Sequence, residues 1–310
     1  MRTWLTWRRH DAPTSMRYGS PSFRRRAARA NPGLIATLTL GALLCASQTA
    51  NAQFLVTTID VPGATASDAW GVNNVGQVVG SFVAGGETRG FLLSGGEYAS
   101  ISVPESTSTV ATGINDSKAI VGAYVAGGVT RGFLLVRGEF ATIDVPGAAL
   151  TMPRGINNLG EIVGEYRADG TTHGFVFRDG KFATVDFPGA SFTAYASGNN
   201  ARGQIVGRFD VPGTNYGFLA SDGDYTALHF PGAASSAALG INDRGQVISG
   251  YTLGGVRRGF LLDDGVYTTL DAPGATFTTP RKINNHGQIV GVYGAGGTTH
   301  GFVAIPVPVD

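Results

Sequence analysis

Residues 154–189 read RGINNLGEIVGEYRADGTTHGFVFRDGKFATVDFPG, and this stretch decides the fold. It divides into four short strands. The first ends at Gly155-Ile156-Asn157, and Asn-Asn-x-Gly turns the chain into a second strand over 161–166. A loop rich in Gly and Ala leads to a third over 173–177. Asp179-Gly180 is a tight hairpin signal, because both central residues of such a turn take positive φ. A fourth strand spans 182–187, where Ala183, Val185 and Phe187 alternate with Thr184 and Asp186 in the period-2 pattern of a half-buried strand. Pro188-Gly189 stops it, since proline cannot donate to a ladder.

Working outward, the same unit recurs along most of the chain. Gly-Phe stands at Gly90, Gly132, Gly174, Gly217, Gly259 and Gly301, spaced by 42, 42, 43, 42 and 42 residues. Asn-Asn or Asn-Asp stands at Asn73, Asn115, Asn157, Asn199, Asn242 and Asn284, and a proline at Pro62, Pro104, Pro146, Pro188, Pro231 and Pro273. A period near 42 with four strands per unit matches a propeller blade. The expected fold is all-β: a six-bladed β-propeller of four-stranded repeats with almost no helix. The repeats begin partway through a unit. Residues 54–61 (FLVTTIDV) read as a lone fourth strand, and the last copy stops after its third, at 301–305. The N-terminal strand is therefore expected to complete the last blade and close the ring, which removes open edges. A seven-bladed ring or an open solenoid is the alternative.

The whole chain carries a net charge of +1, but residues 1–52 hold eight Arg and one Asp. Removing them from 23 basic and 22 acidic residues leaves 15 and 21, a net of −6. A mildly acidic domain argues against a nucleic-acid partner. The leader reads as an export signal. Arg24, Arg25, Arg26 and Arg29 precede the apolar run 33–46, too short to span a bilayer, and Ala50-Asn51-Ala52 is a small-residue cleavage site before Gln53. Met16 is an alternative start. The domains expected are a signal peptide over 1–52, a propeller over 53–305 and a tail over 306–310, in a secreted or periplasmic monomer with no transmembrane segment after cleavage. Cys45 is the only cysteine and lies in the leader, so the exported part has no disulfide and no thiol chemistry.

Candidate chemistry lies where the units differ. The residue before each third-strand Gly is Arg89, Arg131, His173, Tyr216, Arg258 or His300. A metal held by His173 and His300 requires bonds of ~2 Å, yet the two fall in opposed blades, so a repeated structural contact to a backbone carbonyl is the preferred reading. Asp60, Asp144, Asp186 and Asp271 recur before the turn proline. Calcium is one reading, and capping of loop amides the preferred one. The Asn pairs read as turn residues tolerant of left-handed φ. No metal or other cofactor is expected. Just before the first-strand Gly-Ile-Asn stand Trp70, Thr112, Arg154, Ser197, Leu239 and Arg281, and Lys282 replaces the glycine itself. The loop entering the fourth unit carries Phe192, Tyr195 and the one inserted residue. Trp70, Phe192, Tyr195 and Phe277 are flat surfaces of the kind sugars stack on. Arg154, Arg281 and Lys282 suit an anionic group such as a uronate or sulfate. These seven residues form the candidate ligand site, on the face of the variable loops.

The unit G-I-N-N-x-G-Q-I-V-G followed by T-H-G-F resembles extracellular repeats of the HAF family, named for a His-Ala-Phe triplet. The copies follow the Asn-x-x-Gly and Gly-Phe framework over roughly residues 54–305. The middle Ala of the triplet is Gly throughout, and His stands only at His173 and His300. The resemblance implies a secreted bacterial repeat protein with a propeller fold, and no particular activity. The expected function is a binding module for a glycan or a partner protein. A carbohydrate-active enzyme, lyase or hydrolase, and a structural envelope protein are the alternatives.

Overall fold

A computed structural model describes residues 54–190 and 194–307. Residues 1–53, with the expected leader, residues 191–193, with Phe192, and the last three residues lie outside the described residues. The described chain is a β-propeller whose every repeat runs as an antiparallel four-strand meander. In the third repeat strand a is Leu150–Ile156, b is Ile162–Ala168, c is Thr171–Arg178 and d is Lys181–Thr184, paired in the order a-b-c-d. Asp179 and Gly180 take φ of 51° and 74°, the primed turn that matches strand twist. Strand d is shorter than its alternation predicts. It ends at Thr184, Ala183 is exposed, and burial begins at Val185, whose amide still reaches Gly174 O at 2.9 Å.

The expectation of six separate blades is corrected by the hydrogen bonding. The described strands form five sheets. Four of them hold one repeat each, and the fifth is an eight-stranded sheet spanning the first two repeats. Parallel pairing of Thr88 with Ser108 joins strand c of the first repeat to strand a of the second. At the N-terminal end, Phe54–Ile59 pairs antiparallel with Thr298–Pro306, from Phe54↔Pro306 to Ile59↔Gly301.

Packing explains the Gly-Phe signature. Phe91, Phe133, Phe175, Phe218, Phe260 and Phe302 are all fully buried. Each strand-c ring but Phe260 lies over a strand-b glycine. At Gly122 a Cβ would stand 2.0 Å from Val110 O and 2.7 Å from Phe133 Cε1. The fifth repeat departs from this: it reads Val247-Ile248-Ser249-Gly250-Tyr251 where the third reads Ile162-Val163-Gly164-Glu165-Tyr166. Ser249 places a Cβ where glycine stands elsewhere, and here strand a splits into Ser235–Ser236 and Gly240–Ile241.

The a strands line the central axis in layers. In one layer a Cβ on Gly71 would lie 2.9 Å from Gly113 Cα, one on Gly198 3.1 Å from Gly240 Cα, and one on Gly240 3.0 Å from Lys282 Cα. The next layer is aliphatic: Val72, Ile114, Ile156, Ile241 and Ile283, with Asn199 in the remaining place. Below it lies a belt of asparagines. The Nδ2 groups of Asn73, Asn115, Asn157, Asn200 and Asn242 each donate to the backbone carbonyl of the next, and Asn284 Nδ2 donates back to Asn73 O, all within 2.9–3.1 Å. The belt shows that Asn200, not Asn199, is the counterpart of Asn157, because the inserted residue of the fourth repeat precedes both. The expected left-handed φ is not used by these residues. The turn glycines and Lys118 adopt it, and the Asn oxygens accept the turn amides.

Two further readings are corrected. The loop amides before each turn are capped by Ser67, Thr109, Thr151, Ser236 and Thr278, whose hydroxyls accept from Val61, Val103, Val145, Phe230 and Ala272 at 3.0–3.1 Å. The recurring Asp instead meets the strand-c residue that was expected to find a carbonyl: Asp144 with Arg131, Asp186 with His173, Asp271 with Arg258 and Asp60 with His300. In the first three pairs strands c and d are hairpin partners, so residues 13 apart face one another; Asp60 and His300, 240 apart, meet because the N-terminal strand pairs with the last one.

Candidate functional site

In five of the six repeats the residue before the axial glycine, or before Lys282 in its place, sits on a β-bulge. Register shifts fall at Ala69/Gly71, Ala111/Gly113, Pro153/Gly155, Ala196/Gly198 and Pro280/Lys282. The skipped residues are Trp70, Thr112, Arg154, Ser197 and Arg281. A bulge leaves one residue unpaired and re-aims its side chain, so this column is freed from the ladder at the mouth opposite the asparagine belt.

Two matched pairs form there. Arg281 donates to Asp68 Oδ2 at 2.8 Å and lies 3.6 Å from the ring centroid of Trp70. Arg154 donates to Glu165 Oε1 at 2.8 Å and lies 4.7 Å from the ring centroid of Tyr195. In each pair the arginine crosses to an aromatic ring of the following repeat. Trp70 and Tyr195 therefore each hold an arginine on one face, where a sugar face was expected. Phe277 stands apart: its ring packs over Gly294, where a Cβ would lie 2.4 Å away. Phe192 lies outside the described residues.

Lys282 reaches inward across the axis. Its Nζ donates to Ser197 O at 2.6 Å and Leu239 O at 2.9 Å, and its Cε passes 3.5 Å from where a Cβ on Gly155 would stand. It caps a small axial cavity of about 60 Å3 lined by glycines and the aliphatic layer. Burial, with Arg154 and Arg281 nearby, lowers its pKa to about 7. A neutral amine has two N–H donors, which matches its two carbonyl partners.

Three charged residues absent from the expected site complete it. Glu165 and Arg208 follow the strand-b glycine, a column that elsewhere holds Ser81, Ala123, Gly250 and Val292. Arg208 donates to Asp210 Oδ1 at 2.9 Å. Arg257 replaces the threonine of Thr88, Thr130, Thr172 and Thr299 on strand c, and its Nε would meet a Cβ on Gly250 at 3.2 Å. The signal for Glu165 and Arg208 was the variability of their column, and for Arg257 its departure from a column of threonines. Burial opposes the charge on Arg154, but Glu165 and Tyr195 outweigh it and raise its pKa. Burial holds the Asp68 carboxyl above the usual range, against the pull of Arg281. Asp68 Oδ1, Trp70 Nε1, Arg154 Nε, Ser197 Oγ and Arg281 Nε are buried without a hydrogen-bond partner among the described residues. Buried polar atoms are nearly always paired with protein or water, and here five without a protein partner gather at one mouth.

Fold and site together define a β-propeller module with a charged aromatic mouth on its axis. No protein-family model matches the chain, and no curated protein matches it. Solved structures are similar in fold. A putative gluconolactonase is 12% identical, over 83% of this chain and 94% of its own, with a TM-score of 0.51. TolB from Acinetobacter baumannii is 12% identical over 70% of this chain and 59% of its own, at 0.50. A catalytically inactive virginiamycin B lyase from Staphylococcus aureus is 12% identical over 82% of this chain and its whole length, at 0.49. At such identity only the propeller architecture is shared. Among the described residues no helix is long and apolar enough to cross a membrane, and no cluster of three metal-ligating side chains occurs.

Proposed function

We propose that this protein is an exported binding module that takes an acidic glycan at the charged mouth. The observation that carries the reading is the set of unpartnered donors there, Trp70 Nε1, Arg154 Nε, Arg281 Nε and Ser197 Oγ, among five basic side chains and only three carboxylates. Donors and positive charge at one place suit an oxygen-rich anion, and uronate or sulfated sugars present carboxylates or sulfates beside hydroxyls. The basic leader supports placement outside the cytoplasm, where such polymers occur.

Titration calorimetry with polygalacturonate, a sulfated glycan and neutral dextran tests the reading. Binding of an acidic polymer that weakens with salt, as exposed charge pairing does, and none of dextran, is the expected result. Equal binding of dextran, or heat only with acidic peptides, would overturn it.

A further inference from the structure

The five basic side chains of the mouth are not equivalent. Arg154, Arg208 and Arg281 each hold a carboxylate within 2.9 Å. Lys282 is committed to two carbonyls. Arg257 makes no ion pair among the described residues; the residue as a whole is open to solvent, while its guanidinium is partly buried where it lies against Gly250. Its position results from three linked departures in one repeat: threonine becomes Arg257, the strand-b glycine moves one place to Gly250, and no side chain stands where Glu165 and Arg208 stand in the third and fourth repeats. The guanidinium fills that gap, with Nε 3.2 Å from where a Cβ on Gly250 would be. Partial burial and the neighbouring cations Arg281 and Arg208 lower its pKa, and Tyr195 pulls the other way. No carboxylate among the described residues pairs with Arg257 itself, so its guanidinium is left to meet an incoming anion.

We infer that Arg257 is the residue that grips the anionic group of the ligand, in a subsite bordered by Arg208, Arg281 and Tyr195. The inference rests on the acidic-ligand reading of the mouth and assigns its specificity to one side chain. Arg154 and Arg281, already neutralised, orient the aromatic rings. Arg257 supplies the free planar fork that takes a carboxylate or sulfate through two parallel N–H···O bonds.

The test compares wild type, Arg257→Thr and Arg257→Lys. Threonine is the residue of four other repeats, so the fold is retained, which the unliganded thermal midpoint verifies. The probes are inorganic sulfate, sodium galacturonate and polygalacturonate. Arg257→Thr is expected to weaken polygalacturonate by at least ~10-fold and to flatten its salt dependence, and Arg257→Lys to recover part of the affinity. Wild-type affinity in Arg257→Thr would overturn the inference and leave the glycan reading standing. Loss of sulfate or galacturonate binding in Arg257→Thr, with no polymer bound by wild type, would keep the subsite and overturn the glycan reading. Indifference of wild type to every probe would overturn both.

Discussion

The two mouths of the axial channel are built from the same strand in every repeat, yet they differ in kind. At one mouth each belt asparagine donates to the next repeat and accepts its own turn amides, so the belt is satisfied within the ring, Asn199 Oδ1 in the adjoining layer being an exception. At the other, bulges free a column that changes from repeat to repeat, and five buried polar atoms find no partner. Periodicity allows hydrogen bonds to be satisfied by neighbours of identical shape. Where the repeats diverge, no neighbour of identical shape is at hand to satisfy them. Scaffold and site are thus two ends of one strand.

Residues 282 and 284 lie two apart, one serving each mouth, and their substitutions separate the two regions most sharply. Asn284→Ala removes bonds to Asn73 O, Gln288 Oε1 and two turn amides. A loss of about 3 kcal/mol is expected in urea unfolding, from buried groups left unpaired. A loss below about 1 kcal/mol would show that the belt is not what holds the ring.

Lys282→Met is expected to act in the opposite sense. The folded pKa of Lys282, about 7, lies below the ordinary lysine value of 10.5, so the unfolded chain binds the extra proton between these limits. Wild-type stability therefore rises as pH climbs from about 7 towards 10.5, and the penalty of the buried charge is present in full below pH 7. The methionine variant is expected to be more stable than wild type at pH 6 by roughly 1–2 kcal/mol, allowing for partial solvent access. It should also lose the alkaline rise. Parallel pH profiles for the two proteins would remove the buried amine from the account.

A smaller effect probes a flaw in the regular mouth. Outside the belt, Asn74, Asp116, Asn158, Asp243 and Asn285 form a second ring in which side-chain oxygens accept backbone amides of the preceding repeat, and Ala201 interrupts it. Ala201→Asn is expected to stabilise by about 0.5–1 kcal/mol by offering Asn158 N an acceptor. A neutral result by calorimetry would mean that periodicity alone does not position that ring. The smallest effect is expected far from either mouth. Arg131→Ala breaks an exposed pair with Asp144 and should cost under about 0.5 kcal/mol in the same assay.

Much of this organisation was legible in the sequence, because strand, hairpin and turn signals each act over fewer than ten residues. Asp179-Gly180 forms its turn as read, and the column of Trp70, Arg154 and Arg281 was found by its variability. Three things were not legible. The register of Asn199 and Asn200 was ambiguous because an insertion beside two identical residues leaves either assignable to the column, and only the belt distinguishes them. Glu165, Arg208 and Arg257 belong to strands b and c, whose ends converge on the mouth only after the sheets form. The stacking of Arg281 on Trp70 and its pairing with Asp68 join residues more than 200 apart, which no local pattern encodes.

The sequence by itself determined the repeat, its strands, its turns and the column where variation is tolerated, since these follow from backbone geometry and side-chain alternation within one unit. Tertiary structure decided the sharing of one sheet by two repeats, the splitting of strand a beside Ser249 and the choice of partner for each charge at the mouth. Those depend on how closely neighbouring sheets approach. At an axis where a Cβ added to one glycine would stand about 3 Å from the next repeat's backbone, one added Cβ or one longer side chain changes which groups can touch.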